Sequence, residues 1–120
     1  SIFKQESEII REMAEKSDCV IVGRCADYVL HDRNPFRLFV YADMKSKIKR
    51  CREKGTDTAQ MTDKEVQQKI ISVDKKRARY YQFYTDHNWG GKSHYDLCVN
   101  TSGNDIKKLA NALAYFLTGI

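Results

Sequence analysis

Residues 17–30 read SDCVIVGRCADYVL, and no other stretch limits the possible folds so strongly. Residues 19–22 form a short apolar run rich in β-branched side chains and without polar alternation, the pattern of a strand buried on both faces of a parallel sheet. Gly23 ends the run, and Arg24 opens a segment to Leu30 with no breaker and with apolar spacing suited to a short helix. A helix N-terminus carries partial positive charge and favours Asp, Ser or Thr over a cation. An anion seated beside Arg24 would remove that conflict, and in open α/β sheets the crevice beyond the carboxyl ends of the strands is where ligands bind. Arg24 is therefore a candidate for holding a phosphate or carboxylate. The competing reading is an ion pair with Asp27 one turn later.

The rest of the chain alternates in the same way. Residues 1–16 place Phe3, Ile9, Ile10 and Met13 along one helical face. HDRNP is a turn closed by Pro35, and residues 36–42, FRLFVYA, read as a second buried strand. Asp43 is placed to cap a helix that runs to Lys54 and stops at Gly55. Six of its residues between positions 45 and 54 are basic. TDTAQM, residues 56–61, is a polar connection, after which Thr62 and Glu65 fit a capping box for a long helix.

Val66, Ile70 and Val73 give that helix an apolar stripe whose continuation lands on Arg77, with Tyr80, Tyr81 and Tyr84 beyond. Spacing alone makes DKKRARYY, residues 74–81, a solvated basic face with Asp74 paired to Arg77 and tyrosines at its boundary. A loop over residues 85–94 holds Trp89, Gly90 and Gly91 and leads into a third strand, YDLCVN, at residues 95–100. Residues 101–104 then cap a last helix striped by Ile106, Leu109, Ala110, Leu113, Phe116 and Leu117. This order predicts an α/β fold, a parallel sheet with flanking helices and right-handed crossovers.

A chain of 120 residues fits one domain with one core. The 21 Lys and Arg against 16 Asp and Glu give a net charge of +5, which favours an anionic ligand without specifying it. Cys19, Cys25, Cys51 and Cys98 form no CxxC pair and read as reduced core thiols of a cytosolic protein. His31, His87 and His94 have no metal-ligand spacing, so a zinc site is not expected. No run approaches membrane-spanning length and no export signal is present, so the expected compartment is the cytoplasm.

VIVGRCADYVL, FVYAD, DKKRARYYQFYT, the WGG loop and YDLCVN, in this order, resemble the cytidylate kinase-like family of nucleoside-monophosphate kinases. The resemblance covers nearly the whole chain and corresponds to the C-terminal portion of that family. It implies a P-loop NTPase fold, here incomplete. The family's GxxxxGK[ST] phosphate loop is absent, because none of the glycines at positions 23, 55, 90, 91, 103 and 119 falls in that pattern. The chain is thus expected to be a partial domain of a longer protein and inactive by itself.

By the same resemblance Arg24, with Asp27 in its GRCAD segment, would bind the acceptor phosphate. Lys47 and Arg50 would begin an ATP-side lid spanning roughly residues 50–80, with residues 55–61 mobile. Asp74, Lys76, Arg77 and Arg79 would belong to the lid helix, with Arg77 as the arginine that neutralises the transferring phosphoryl group and Asp74 as the other catalytic residue. Such an arginine is worth roughly 10³ to 10⁵ in rate. Two tyrosines stand where the family would have another Arg, and Tyr41 stands where its cytosine-selecting Asp falls, which leaves the acceptor open.

The resemblance implies an ATP- and Mg²⁺-dependent phosphotransferase acting on a nucleoside monophosphate or similar small acceptor. The alternative is a non-catalytic nucleotide- or anion-binding regulatory module of the same fold. Nucleic-acid binding through the basic helices and tyrosines is disfavoured, because the basic patches lie on separate helices and no RNA-binding motif is present. The oligomeric state is not encoded in any recognisable pattern.

Overall fold

Ser1 caps the first helix, α1 (Ile2–Lys16), its hydroxyl accepting from the Lys4 amide at 3.3 Å. Along α1 the spacing of the apolar residues selects which ones meet the core. Ile10 is buried with Ala26, Val29 and Leu30, and Phe3, Ala14 and Ile21 pack against this cluster. Ile9 and Met13, expected on the same face, are exposed. The computed structural model describes residues 1–55 and 57–119, so Thr56, in the expected lid, lies outside the described residues. It resolves into two compact units, one formed by Ser1–Leu38 with Lys75–Leu97 and the other by Phe39–Asp74 with Cys98–Ile120.

In the first unit the expected buried strand at residues 19–22 is not formed. The segment is irregular, Val20 is 93% and Val22 88% exposed, and Cys19 is an exposed thiol rather than a core one. A strand exists only through hydrogen bonds to a neighbour, and burial on both faces needs layers on both sides. Neither lies beside this run among the described residues, and only Ile21 turns into the core.

Gly23, Arg24 and Cys25 then adopt left-handed conformations in succession, with φ of 70°, 57° and 56°. They lead into α2 (Ala26–Val29), a single turn followed by a 3₁₀ turn at His31–Arg33. The helix expected to begin at Arg24 is therefore later and shorter. The C-terminal part of α4 (Asp63–Thr85) joins this unit, where Tyr84 stacks on Phe3 with ring centroids 4.0 Å apart.

β1 (Leu38–Tyr41) and β2 (Leu97–Asn100) form a two-stranded sheet. The Asp96 amide donates to the Arg37 carbonyl at 2.8 Å and the Thr101 amide to the Tyr41 carbonyl at 2.8 Å. Pairs that advance together along both strands define a parallel register, as the alternation of elements predicts. The two strands are shorter than residues 36–42 and 95–100 suggested, and β1 is largely exposed rather than buried. Both strands and α4 run from one unit into the other.

Asp43 caps α3 (Met44–Lys54), accepting from the Ser46 amide at 2.8 Å, and Gly55 ends it. That amide bond, foremost, holds the Asp43 carboxyl below its ordinary value. The capping box at the start of α4 is reciprocal: the Glu65 amide donates to the Thr62 hydroxyl and the Thr62 amide to the Glu65 carboxylate, both at 3.2 Å. Val66, one turn on, is fully buried. α5 (Ile106–Thr118) is capped by Asp105, which accepts from the Lys107 and Lys108 amides, rather than by residues 101–104. Its stripe leaves Ile106, Phe116 and Leu117 exposed.

Candidate functional site

Three successive left-handed residues are costly when two of them carry side chains. A β-carbon in that region costs roughly 1–2 kcal/mol per residue, and such strain concentrates where a side chain must be aimed. Here the residue aimed is Arg24. Its side chain is 65% exposed, and its Nε lies 3.4 Å from the Glu6 carboxylate of α1, an exposed and poorly aligned contact that leaves the guanidinium fork open. Arg24 therefore pairs with Glu6 rather than with Asp27. The helix-terminus argument for an anion fails, since a four-residue α2 has too few aligned peptides to present a useful dipole. What remains is the cation itself on a strained, exposed turn.

Asp27 is committed to structure. Its Oδ2 accepts from the Tyr81 hydroxyl at 2.7 Å and its Oδ1 from the Tyr28 amide at 2.9 Å. Tyr81 is only 7% exposed, and its phenol is held well above the ordinary range by burial and then by the hydrogen bond to the negative Asp27. The Cys25 thiol beside it is buried and pushed up to about 11, by desolvation first and then by the charges of Asp27 and Glu6. It is a protonated packing group at neutral pH, not a nucleophile. Tyr80, whose phenol is raised mainly by burial, feels Glu6 and Arg24 as well, which puts it in the same neighbourhood.

The second unit gathers polar groups at the carboxyl end of the two strands. Arg50 of α3 donates to both the hydroxyl and the carbonyl of buried Thr101, just past β2. The Thr101 hydroxyl in turn donates to the Tyr41 carbonyl at 3.0 Å, and Ser102 accepts from the Asp43 amide at 2.7 Å. This is the edge at which parallel α/β sheets take their ligands, and Arg50 is the cation already directed to it. Lys47, one turn earlier, forms a half-buried ion pair with Asp74 at 2.8 Å.

Arg52 was not singled out by sequence. Its guanidinium donates to the Thr58 carbonyl at 3.0 Å, the Met61 carbonyl at 2.8 Å and the Asp63 carboxylate at 2.7 Å. Thr58 is 1% exposed, and Lys69 pairs with Asp57 at 2.8 Å. The described part of the expected lid is thus a hydrogen-bonded turn clasped by one arginine. No local pattern distinguishes Arg52 from the other five cations of its helix. Lys76, Arg77 and Arg79 are exposed on α4, and Lys76 and Arg79 make no ion pair among the described residues. Of the expected site residues, the structure brings together Lys47 with Asp74. It does not join Arg24 to Asp27.

Among the described residues no group of three or more His, Cys, Asp or Glu side chains could hold a metal ion. No described helix is long and apolar enough to cross a membrane. Among proteins of curated function, none matches the chain. A crystal structure of an uncharacterized protein from Eubacterium ventriosum ATCC 27560 is similar over 100% of this chain, with a TM-score of 0.88 and 28% identity. The chain covers 66% of that protein's length. The sequence profile of the cytidylate kinase-like family matches residues 1–103, a span from α1 through the Arg24 turn and both strands to the polar carboxyl edge at Thr101 and Ser102. The chain belongs to the cytidylate kinase-like family.

Proposed function

We propose that this chain forms part of an ATP-dependent phosphotransferase that moves the γ-phosphoryl group of ATP to a nucleoside monophosphate or a similarly small phosphorylated acceptor. The bond from the γ-phosphorus to the β,γ-bridging oxygen breaks, a bond to an acceptor phosphate oxygen forms, and ADP leaves. The phosphate loop and any metal donors would be supplied by polypeptide outside these residues. Arg24 would bind the acceptor phosphate, with Asp27 anchoring the turn behind it through Tyr81 rather than touching the anion. Arg50 and Lys47 would face the nucleotide side, and the cations Lys76, Arg77 and Arg79, after Asp74, would offset charge on the transferring group. A cytoplasmic setting suits such a reaction and the free cysteines.

The observation that carries this reading is the strained, exposed Arg24 turn in a member of a kinase-like family. The experiment is ADP release by the longer protein that contains this chain and a phosphate loop, assayed over a panel of nucleoside monophosphates. Arg24→Ala should raise the KM of the preferred acceptor by roughly ten- to a hundred-fold, as expected for losing a charge-assisted contact. Arg77→Ala should lower kcat by about 10³ or more. Failure of every monophosphate to stimulate ADP release, or an Arg24→Ala enzyme with unchanged KM, would overturn it.

A further inference from the structure

Arg24 and Arg77 lie far apart in sequence but in one compact unit, which takes in Ser1–Leu38 and Lys75–Leu97. The same unit holds Tyr81, whose hydroxyl donates to the Asp27 Oδ2 at 2.7 Å. We propose that Tyr81 is a positioning residue: its bond to Asp27 locks the Arg24 turn onto α4, so that the cation binding the acceptor phosphate and the cation offsetting charge on the transferring group keep a fixed separation. This rests on the phosphotransferase reading above and adds to it the residue that sets alignment rather than affinity.

The bonding around the turn singles out this contact. Among the described residues the other hydrogen bonds of residues 23–30 are local, such as the Ala26 amide to the Gly23 carbonyl at 3.2 Å, the Val29 amide to the Cys25 carbonyl at 2.9 Å and the Tyr28 amide to the Asp27 Oδ1 at 2.9 Å. Apolar packing of Ala26, Val29 and Leu30 on Ile10 seats α2 against α1, but packing is non-directional. The ion pair of Arg24 with Glu6 is too exposed to fix the turn. A backbone that is left-handed at three residues in a row persists only where its surroundings over-determine it. The bond from buried Tyr81 to Asp27 supplies that directional tie, and it is charge-assisted, with the phenol protonated through neutral pH.

α4 carries this constraint to Arg77. Arg77 and Tyr81 stand four residues apart on one side of the helix, about 6 Å along its axis. Tyr80, three residues after Arg77, lies in the field of both Arg24 and Glu6, so the Arg24 guanidinium is close to this stretch of α4. Glu6 is the carboxylate that an incoming phosphate must displace from Arg24, and the turn keeps its place during that exchange because Asp27, not Glu6, holds it. Phosphoryl transfer depends on such placement, since a misplacement of about 1 Å can cost roughly 10²-fold in rate. Affinity for the acceptor stays with the charge of Arg24.

The test is Tyr81→Phe in the longer protein that contains this chain and a phosphate loop, assayed well below its Tm by ADP release and by amide exchange. The variant should lower kcat by about ten- to a hundred-fold and change the acceptor KM by less than about three-fold. In an Arg24→Ala background the same substitution should change kcat by less than about two-fold, because the group it positions is gone; a merely structural role would keep its full effect there. Exchange at the Ala26 and Tyr28 amides should quicken by about ten-fold while the amides of α4 stay protected. Asp27→Ala cuts the same bond from the other side, leaves the buried ring in place and gives the same readouts if Tyr81→Phe does not fold. A kcat within about two-fold of wild type, a kcat loss undiminished in the Arg24→Ala background, or unchanged exchange at both amides would overturn the positioning role. With Arg24→Ala still raising KM, any of these leaves the phosphotransferase reading standing. Failure of every monophosphate to stimulate ADP release instead overturns that reading, and the positioning role with it.

Discussion

At the scale of single residues, the buried joint between Tyr81, Asp27 and Cys25 sets the alkaline limit of the first unit. Both titrating groups have folded-state pKa values raised above their ordinary ones, Cys25 from 9.0 to about 11 and Tyr81 from 10.0 upward. A group that binds its proton more tightly when folded contributes stability fully below its unfolded pKa and loses it as pH rises through the folded one. Wild-type protein should therefore keep its Tm up to about pH 9 and then fall steeply, Cys25 acting between pH 9 and 11 and Tyr81 from pH 10 upward. Cys25→Ala should flatten the first part of that fall, checked by thermal denaturation across pH. Tyr81→Phe should cost about 1.5 kcal/mol at pH 7, because Asp27 loses a charge-assisted partner in a buried setting. The same chemistry separates the thiols. At pH 7.5 a thiol reagent should modify exposed Cys19 rapidly and Cys25 only on unfolding, which peptide mapping of a time course reads directly.

At the scale of elements, α4 and the turn before it depend on local bonds that can be cut singly. Thr62→Ala removes one half of the capping box and should destabilise the protein by about 1 kcal/mol. Arg52→Ala acts differently, since it frees the Thr58 and Met61 carbonyls without touching the core. Its expected signature is faster amide exchange and proteolysis confined to residues 57–61, with helix protection elsewhere unchanged. If exchange there is already fast in the wild-type protein, the clasp assigned to Arg52 is wrong.

At the scale of the whole molecule, the side chains of Val20 and Val22 stand almost wholly in water. Polar replacement in this chain, Val20→Thr with Val22→Thr, should move stability by less than about 0.5 kcal/mol. In the longer polypeptide that the proposed kinase requires, the same pair should cost about 3 kcal/mol, because both would be covered by added strands and layers. Chemical denaturation of the two proteins side by side distinguishes these outcomes, and equal small effects in both would deny that residues 19–22 are ever a core strand.

Local chemistry was legible in the sequence wherever it involves near neighbours. The Asp43 cap, the reciprocal pair of Thr62 and Glu65, the stop at Gly55 and the parallel order of β1 and β2 all follow from side chains acting within a few residues or from the alternation of elements. The family was legible too, because the resemblance is carried by short contiguous strings, GRCAD, DKKRARYY and YDLCVN, that are read without tertiary information. Tertiary structure alone decided the rest. Residues 19–22 have the composition of a buried strand, yet a strand is made by its neighbours, and those present leave it in water. Arg24 met Glu6 of α1 rather than Asp27, because a left-handed backbone turns the side chain away from the helix that follows. The three histidines, up to 63 positions apart in the chain, carry no spacing signal, and only the fold brings His31, His87 and His94 around one cavity.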